Sequence, residues 1–264
     1  MTPLEKFNSV YLKREDKNLT GSAKDRAIIE QLKNLQKQKY SQAVISSTGN
    51  AAISAAHFCH LQNIKLTVFI SPSINPQKLK LISASVIKSK KAISDAIKFA
   101  KKNHAYNLRQ STDPSALLGY RQIGEEILEQ LPQVSSIFIP VGSGTTLLGI
   151  AQALPKNIKV FGVQSAANPT IAKYFVKNYK PENKIITDAL TVKSLPLKNK
   201  IINIIKKHQS TAFIINNQAI IESQKLLKGH FLSSESALCL AAYKQNASLA
   251  GNYPVIVCTG TQRQ

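Results

Sequence analysis

Short β-branched runs alternate with longer stretches of helical periodicity along most of the chain. The runs are 43–47 (AVISS), 66–71 (LTVFIS), 85–89 (SVIKS), 105–109 (AYNLR), 136–141 (SIFIPV), 159–163 (KVFGV), 211–215 (TAFII) and 254–258 (PVIVC). Several are apolar almost without a break, which is the pattern of parallel strands covered on both faces. Helical spacing fills the gaps at 24–38, 50–62, 76–83, 91–102, 115–131, 145–153, 168–178, 197–208, 217–228 and 234–245. Strand, helix and strand at this spacing predict an α/β fold with parallel sheets. No internal repeat and no low-complexity linker interrupts the series.

Composition narrows the class. Of 264 residues 43% are hydrophobic and 19% charged, enough apolar material for a sizeable core and too much for a disordered chain. No apolar run approaches the roughly 20 residues of a membrane span. The opening MTPLEKFNSVYLKRED lacks a basic-then-apolar layout, so a cytoplasmic protein is expected. Cys59, Cys239 and Cys258 are isolated and odd in number, against a disulfide framework or a cysteine-based zinc site. The one ligand-like cluster, His57 to His60, lies in an Ala-rich helical stretch without carboxylate partners and reads as small core residues.

The net charge of +21 raises the question of nucleic acid. Between Lys156 and Lys207 there are eleven lysines against two acids, Glu182 and Asp188, yet no arginine and few aromatics alternate with them. A solvated lysine surface is the better reading, and no nucleic-acid partner is expected.

Candidate chemistry sits where strands run into helices. In open parallel sheets ligands bind at the carboxyl ends of strands, against helix N-termini. The stretch SSTGNAAISAA (46–56) supplies Ser47, Thr48, Gly49 and Asn50 at such a junction, more polar groups than one helix cap requires. The stretch PVGSGTTLLGIA (140–151) places Gly142, Ser143, Gly144, Thr145 and Thr146 at another, in the manner of a phosphate cup. It lacks the Gly-Lys-Ser/Thr of a Walker loop and the glycine spacing of a dinucleotide fingerprint. A third strand ends in Thr259-Gly260-Thr261. The nucleophile elbow, the zinc-protease motif and an acidic pair spaced for glycosidase work are all missing. Glu125 and Glu126 read as a solvated helix face, and His104, His208 and His230 as isolated structural or exposed residues.

These junctions, taken with KREDKNLTGSAKDRA (13–27), resemble the fold-type II pyridoxal-phosphate enzymes, the group of threonine synthase, cysteine synthase, the serine/threonine dehydratases and tryptophan synthase β. The match runs in order from TPL (2–4) through PVGSGTTLLGIA, VFGVQS and SSESALCLAA to the final TG. Within the group, the STGN loop is most similar to threonine synthases. The resemblance implies two parallel-sheet α/β domains with pyridoxal 5'-phosphate in the cleft between them: a large domain of residues 1–40 and 121–264, and a small mobile domain of 41–120. It implies a homodimer acting on an amino-acid substrate.

Residue by residue, the resemblance makes Lys24 the Schiff-base lysine. Asn50 would meet the ring hydroxyl, and Gly142, Ser143, Gly144, Thr145 and Thr146 the cofactor phosphate. Thr259 would face the pyridine nitrogen. Ser47, Thr48, Gly49 and Asn50 would grip the substrate carboxylate. Lys13, Lys90 and Lys91 are further cations available to a substrate phosphate. Leu19 and Ala23 stand where relatives commonly carry proline and an aromatic residue or histidine. The expected activity is that of a threonine synthase-like lyase, converting O-phosphohomoserine and water to threonine and phosphate. The alternative is a serine/threonine dehydratase or a cysteine synthase-like β-replacement enzyme. A non-catalytic basic binding protein that kept the fold is the reading from another class.

Overall fold

The computed structural model describes residues 1–262 apart from 48, 73, 75, 188, 189, 191, 193 and 194. Ten strands and ten α-helices are found among the described residues: β1 (Leu4–Phe7), β2 (Val10–Lys13), α1 (Lys24–Lys37), β3 (Gln42–Ser46), α2 (Asn50–Leu61), β4 (Lys65–Ile70), α3 (Pro76–Lys80), β5 (Ser85–Lys88), α4 (Ala92–Lys102), β6 (Tyr106–Asn107), α5 (Ser115–Gln130), β7 (Ser136–Pro140), α6 (Thr145–Ala153), β8 (Lys159–Ser165), α7 (Lys198–Lys207), β9 (Ala212–Ile215), α8 (Asn217–Leu226), α9 (Ser234–Gln245), α10 (Ala247–Ala250) and β10 (Pro254–Val257).

They form two sheets. Four strands run β5-β4-β3-β6, all parallel. Six run β1-β2-β10-β7-β8-β9, parallel except for the β1–β2 hairpin. The α/β class expected from the sequence is therefore the class observed. β7 is buried along its whole length because helices cover both faces of its sheet, which explains why its sequence is apolar without alternation. One face packs against Tyr120, Ile123 and Ile127 of α5 and Leu147 and Ile150 of α6; the other packs against α9.

Helix α1 belongs to both cores. Ala23 and Ala27 join the cluster beneath the six-stranded sheet, whereas Ile28, Leu32 and Leu35 pack with Ile45, Val68 and Leu108 of the four-stranded one. Its Lys24 end therefore lies where the two sheets meet. Helix α5 reaches α1 closely because Gly119 has no side chain: a Cβ there would collide with the carbonyl of Arg26 and stand 2.8 Å from Ala27 N. That approach puts the next residue, Tyr120, under the start of α1.

Two expectations fail for physical reasons. The periodicity over 168–178 yields only one 3-10 turn, Ala172–Tyr174. Only Ile171 and Ala172 are deeply buried there, and their N–H groups donate to Gln164 Oε1 at 2.7 and 2.9 Å, so a side chain takes the place of the next helical turn. Conversely β1 and β2 are absent from the predicted strands: each has four residues, LEKF and VYLK, and its charged residues interrupt any apolar run, although Val10, Leu12 and Lys13 of β2 are buried between β1 and β10. Among the described residues no helix is long and apolar enough to cross a membrane.

Candidate active site

A cavity of about 600 Å³ opens at the carboxyl ends of β3, β4, β6, β7 and β10, a size suited to a small cofactor with its substrate. Lys24, Ser47, Gly49, Asn50, Gly142, Ser143, Gly144, Thr146 and Thr259 all line it. Thr145 does not: it is fully buried, and its Oγ1 bonds to Ser143 Oγ at 3.0 Å. Thr48 lies outside the described residues.

Backbone pairing brings the distant segments together. The Ala23 N–H donates to the Thr259 carbonyl at 3.0 Å, and Thr261 N to the Gly21 carbonyl at 3.0 Å. Residues 20–23, which precede the helix expected from residue 24, are thereby laced onto the end of β10, fixing Lys24 beside Thr259. Asn50 reaches the same point from the four-stranded sheet: a Cβ added to Gly260 would stand 2.9 Å from Asn50 Nδ2.

Two helices start in this cavity. Gly144 adopts a left-handed conformation, φ +79°, and turns the chain into α6; Gly49 is extended and precedes α2. Neither start has a side-chain cap, and neither first turn holds an acid. Each presents backbone N–H donors and positive dipole ends without an internal counter-anion, the arrangement that binds phosphate or carboxylate.

Lys24 lies at the first position of α1. Its Nζ donates to Gln110 Oε1 at 3.1 Å and to Tyr120 OH at 3.0 Å, and Tyr120 OH donates to the same Gln110 oxygen at 2.9 Å. The Tyr120 ring is fully buried, with Lys24 Nζ 5.4 Å from its centroid. Gln110 Nε2 is buried at this spot without a partner among the described residues, a donor set to meet a polar ligand. Sequence reasoning missed Gln110, Tyr120, Lys78, Arg109 and Glu235. Tyr120 sits in an ordinary amphipathic helix, Gln110, Lys78 and Arg109 carry no motif, and Glu235 lies within SSESALCLAA, a stretch quoted for the resemblance without a role for its acid.

The remaining cations expected near a substrate lie elsewhere. Lys13 is fully buried and donates to Glu126 at 2.6 Å, Gln130 at 2.9 Å and the Thr2 carbonyl at 2.8 Å. Lys90 and Lys91 are exposed and do not line the cavity. Glu126 is not solvated as expected: it also receives Arg26, at 2.6 Å, and that guanidinium bridges to Glu15 at 3.1 Å. Burial alone would raise the Glu126 pKa, but hydrogen bonds from Arg26 and Lys13 outweigh it and hold the carboxyl at about 2. Burial dominates for Lys13, which shares its one carboxylate with Arg26, and lowers its pKa. Arg26 thus points away from Lys24, into a network that pins the N-terminal segment to α1 and α5. His208 is structural, its ring nitrogens 2.9 and 3.2 Å from the carbonyls of Ile158 and Ala151. No cluster that could hold a metal ion is found among the described residues.

The family model described as pyridoxal-phosphate dependent enzyme matches residues 1–260. The chain belongs to this family. Its cofactor is pyridoxal 5'-phosphate, as the resemblance implied. The chain is 26% identical over 238 residues to an L-threonine ammonia-lyase of Geobacter sulfurreducens, covering 83% of this chain and 59% of the relative. It therefore spans less than two thirds of that relative's length. Among solved structures it is similar to the T.th. threonine deaminase, with TM-score 0.87 at 22% identity, covering 100% of this chain and 93% of the other. It is also similar to maize serine racemase, with TM-score 0.88 at 18% identity, covering 100% and 88%. At these identities the two structures speak for the fold.

The donor set suits the cofactor. A primary amine for its carbonyl, an uncapped helix start for its phosphate and hydroxyl and amide groups for its ring all border one cavity.

Proposed function

We propose that this chain is a pyridoxal-phosphate dependent ammonia-lyase that removes the amine and the β-substituent of a small hydroxy amino acid of the serine or threonine type. The observation that carries this reading is the Lys24 amine, held between Gln110 and Tyr120 in a cavity bordered by two anion-ready helix starts. The threonine synthase expectation gives way here to its dehydratase alternative. What supports that choice is that the Geobacter sulfurreducens relative is an L-threonine ammonia-lyase and the similar T.th. structure a threonine deaminase.

When bound, the cofactor supplies a carbonyl that captures amines and an electron sink for the substrate α-carbon. The chain's own residues do the rest. The α6 start, with Gly142, Ser143, Gly144 and Thr146, holds the phosphate. Thr145 acts through its bond to Ser143. Asn50 meets the ring hydroxyl, and Thr259 the ring nitrogen. The α2 start, with Ser47, Thr48 and Gly49, takes the substrate carboxylate. Lys24 would hold the cofactor, and its Nζ, placed at Gln110 Oε1 and Tyr120 OH, would be the group that moves the substrate α-proton. Residues 41–120 are the part proposed to move against the rest of the chain, excluding water on closure.

The test is a product assay on the purified holoenzyme. L-serine and L-threonine are expected to yield a 2-oxo acid and ammonia in equal amounts, with no phosphate released from O-phosphohomoserine. Phosphate and threonine from O-phosphohomoserine, without ammonia, would restore the synthase reading.

A further inference from the structure

Arg109 is a cavity-lining cation that the roles above leave unused. Its backbone is fixed on both sides: its N–H donates to Asn107 Oδ1 at 3.1 Å, and its carbonyl accepts from Thr112 N and Oγ1, both at 3.0 Å. The following residue, Gln110, touches Lys24. The half-buried Arg109 guanidinium, by contrast, has no hydrogen-bond or ion-pair partner among the described residues. The nearest acid in sequence, Asp113, is committed to Gln31, Tyr106 and Ser115. A guanidinium keeps its charge and its fork of donors at any working pH, so this one is available to a ligand anion.

Topology says which anion. In the order β4-β3-β6, the Ser47–Asn50 loop at the end of β3 lies between the segments that follow its two neighbours. The segment after β4 carries Lys78, buried and lining the cavity; the segment after β6 carries Arg109. The glycine loop for the cofactor phosphate belongs to the other sheet, at β7 and α6. Lys78 and Arg109 thus flank, from either side, the loop proposed to take the substrate carboxylate.

We infer that Arg109 forms a subsite for a second anionic group, phosphate or carboxylate, at the end of the substrate's side chain. The inference rests on the amino-acid reading of this cavity, and it adds to the small hydroxy amino acids a preference for a substrate whose side chain bears a distal oxyanion.

The experiment measures binding to the holoenzyme through the change in cofactor absorbance, for L-serine, L-aspartate and O-phospho-L-serine. Charge-assisted hydrogen bonds of this kind make an anionic side chain bind about tenfold tighter or more than L-serine. In Arg109→Gln that advantage is lost while L-serine affinity is unchanged; Arg109→Lys retains part of it. An advantage confined to aspartate or to phosphoserine assigns the anion. Equal binding of all three by the wild type overturns the inference. So does an Arg109→Gln variant that weakens L-serine as much as the others, because Arg109 would then serve the α-carboxylate. Ammonia release is read separately: preference for anions without ammonia leaves the subsite and removes the lyase reading, and ammonia without preference does the reverse.

Discussion

The Lys24 amine stands 3.0 Å from the Tyr120 hydroxyl, and both donate to the same oxygen of Gln110. Lys24 thus meets residues 86 and 96 positions further along the chain at one acceptor. Because the Tyr120 ring is fully buried against α1 and α6, its hydroxyl is a fixed reference point for the lysine. Tyr120→Phe keeps the ring and removes that point. We expect thermal stability and cofactor attachment to persist while kcat falls about tenfold to a hundredfold with KM little changed, the scale of a misplaced reacting group. Steady-state kinetics beside a melting curve would check this; equal loss of stability and activity would assign Tyr120 to packing alone.

Gly144 tests the phosphate cup. Its φ of +79° disfavours any L side chain by about 1–2 kcal/mol. A Cβ would in addition collide with Ile201 Cδ1 and stand 2.8 Å from its Cγ1. Gly144→Ala should lower the melting temperature of the cofactor-free protein and also weaken cofactor binding, since the α6 N–H groups move with the turn. Absorbance titration of the cofactor-free protein gives the second quantity.

Gly260 tests the meeting of the two sheets. A methyl group there stands 2.9 Å from Asn50 Nδ2. The side chain of Asn50 can swing away at small cost, so Gly260→Ala should leave stability within about 1 kcal/mol of wild type. The absorbance spectrum of the bound cofactor should change, because the amide proposed to face its ring is displaced. An unaltered spectrum would separate Asn50 from the ring.

Acid should loosen the N-terminal network first. The Glu126 pKa is held at about 2, against an ordinary 4.5. A depressed carboxyl stabilises the fold fully above its unfolded pKa and loses that contribution as pH falls through the folded value. The contribution is on the order of 3 kcal/mol. Denaturant unfolding of Glu126→Gln should therefore show a deficit of that size at pH 7 that shrinks between pH 4.5 and 2. A deficit constant over that window would mean that Glu126 acts by shape and not by charge.

Much of this was legible in the sequence, for identifiable reasons. All eight predicted strands form; β7 and β10, buried along their whole length, show most plainly why a parallel strand covered on both faces is apolar throughout, whereas the exposed edge strand β5 does not follow that rule. That Asn50, Gly144 and Thr259 line one cavity was legible in different ways: the Asn50 loop held more polar groups than capping needs, Gly144 lay in a glycine-rich strand-to-helix junction, and Thr259 was placed by the resemblance. Tyr120, Gln110 and Arg109 were not. Their importance comes from what faces them across the cleft, and Tyr120 occupies an ordinary core position of α5. Glu126 was misread because its partners Lys13 and Arg26 lie a hundred or more residues away.

The central claim is that the cofactor is carried by Lys24. Borohydride reduction of the holoenzyme followed by peptide mass mapping tests it directly. The reduced cofactor's mass is expected on the peptide containing Lys24, together with a colourless, unlabelled Lys24→Ala variant. A label on any other lysine, or colour that Lys24→Ala retains and borohydride fixes, would contradict it.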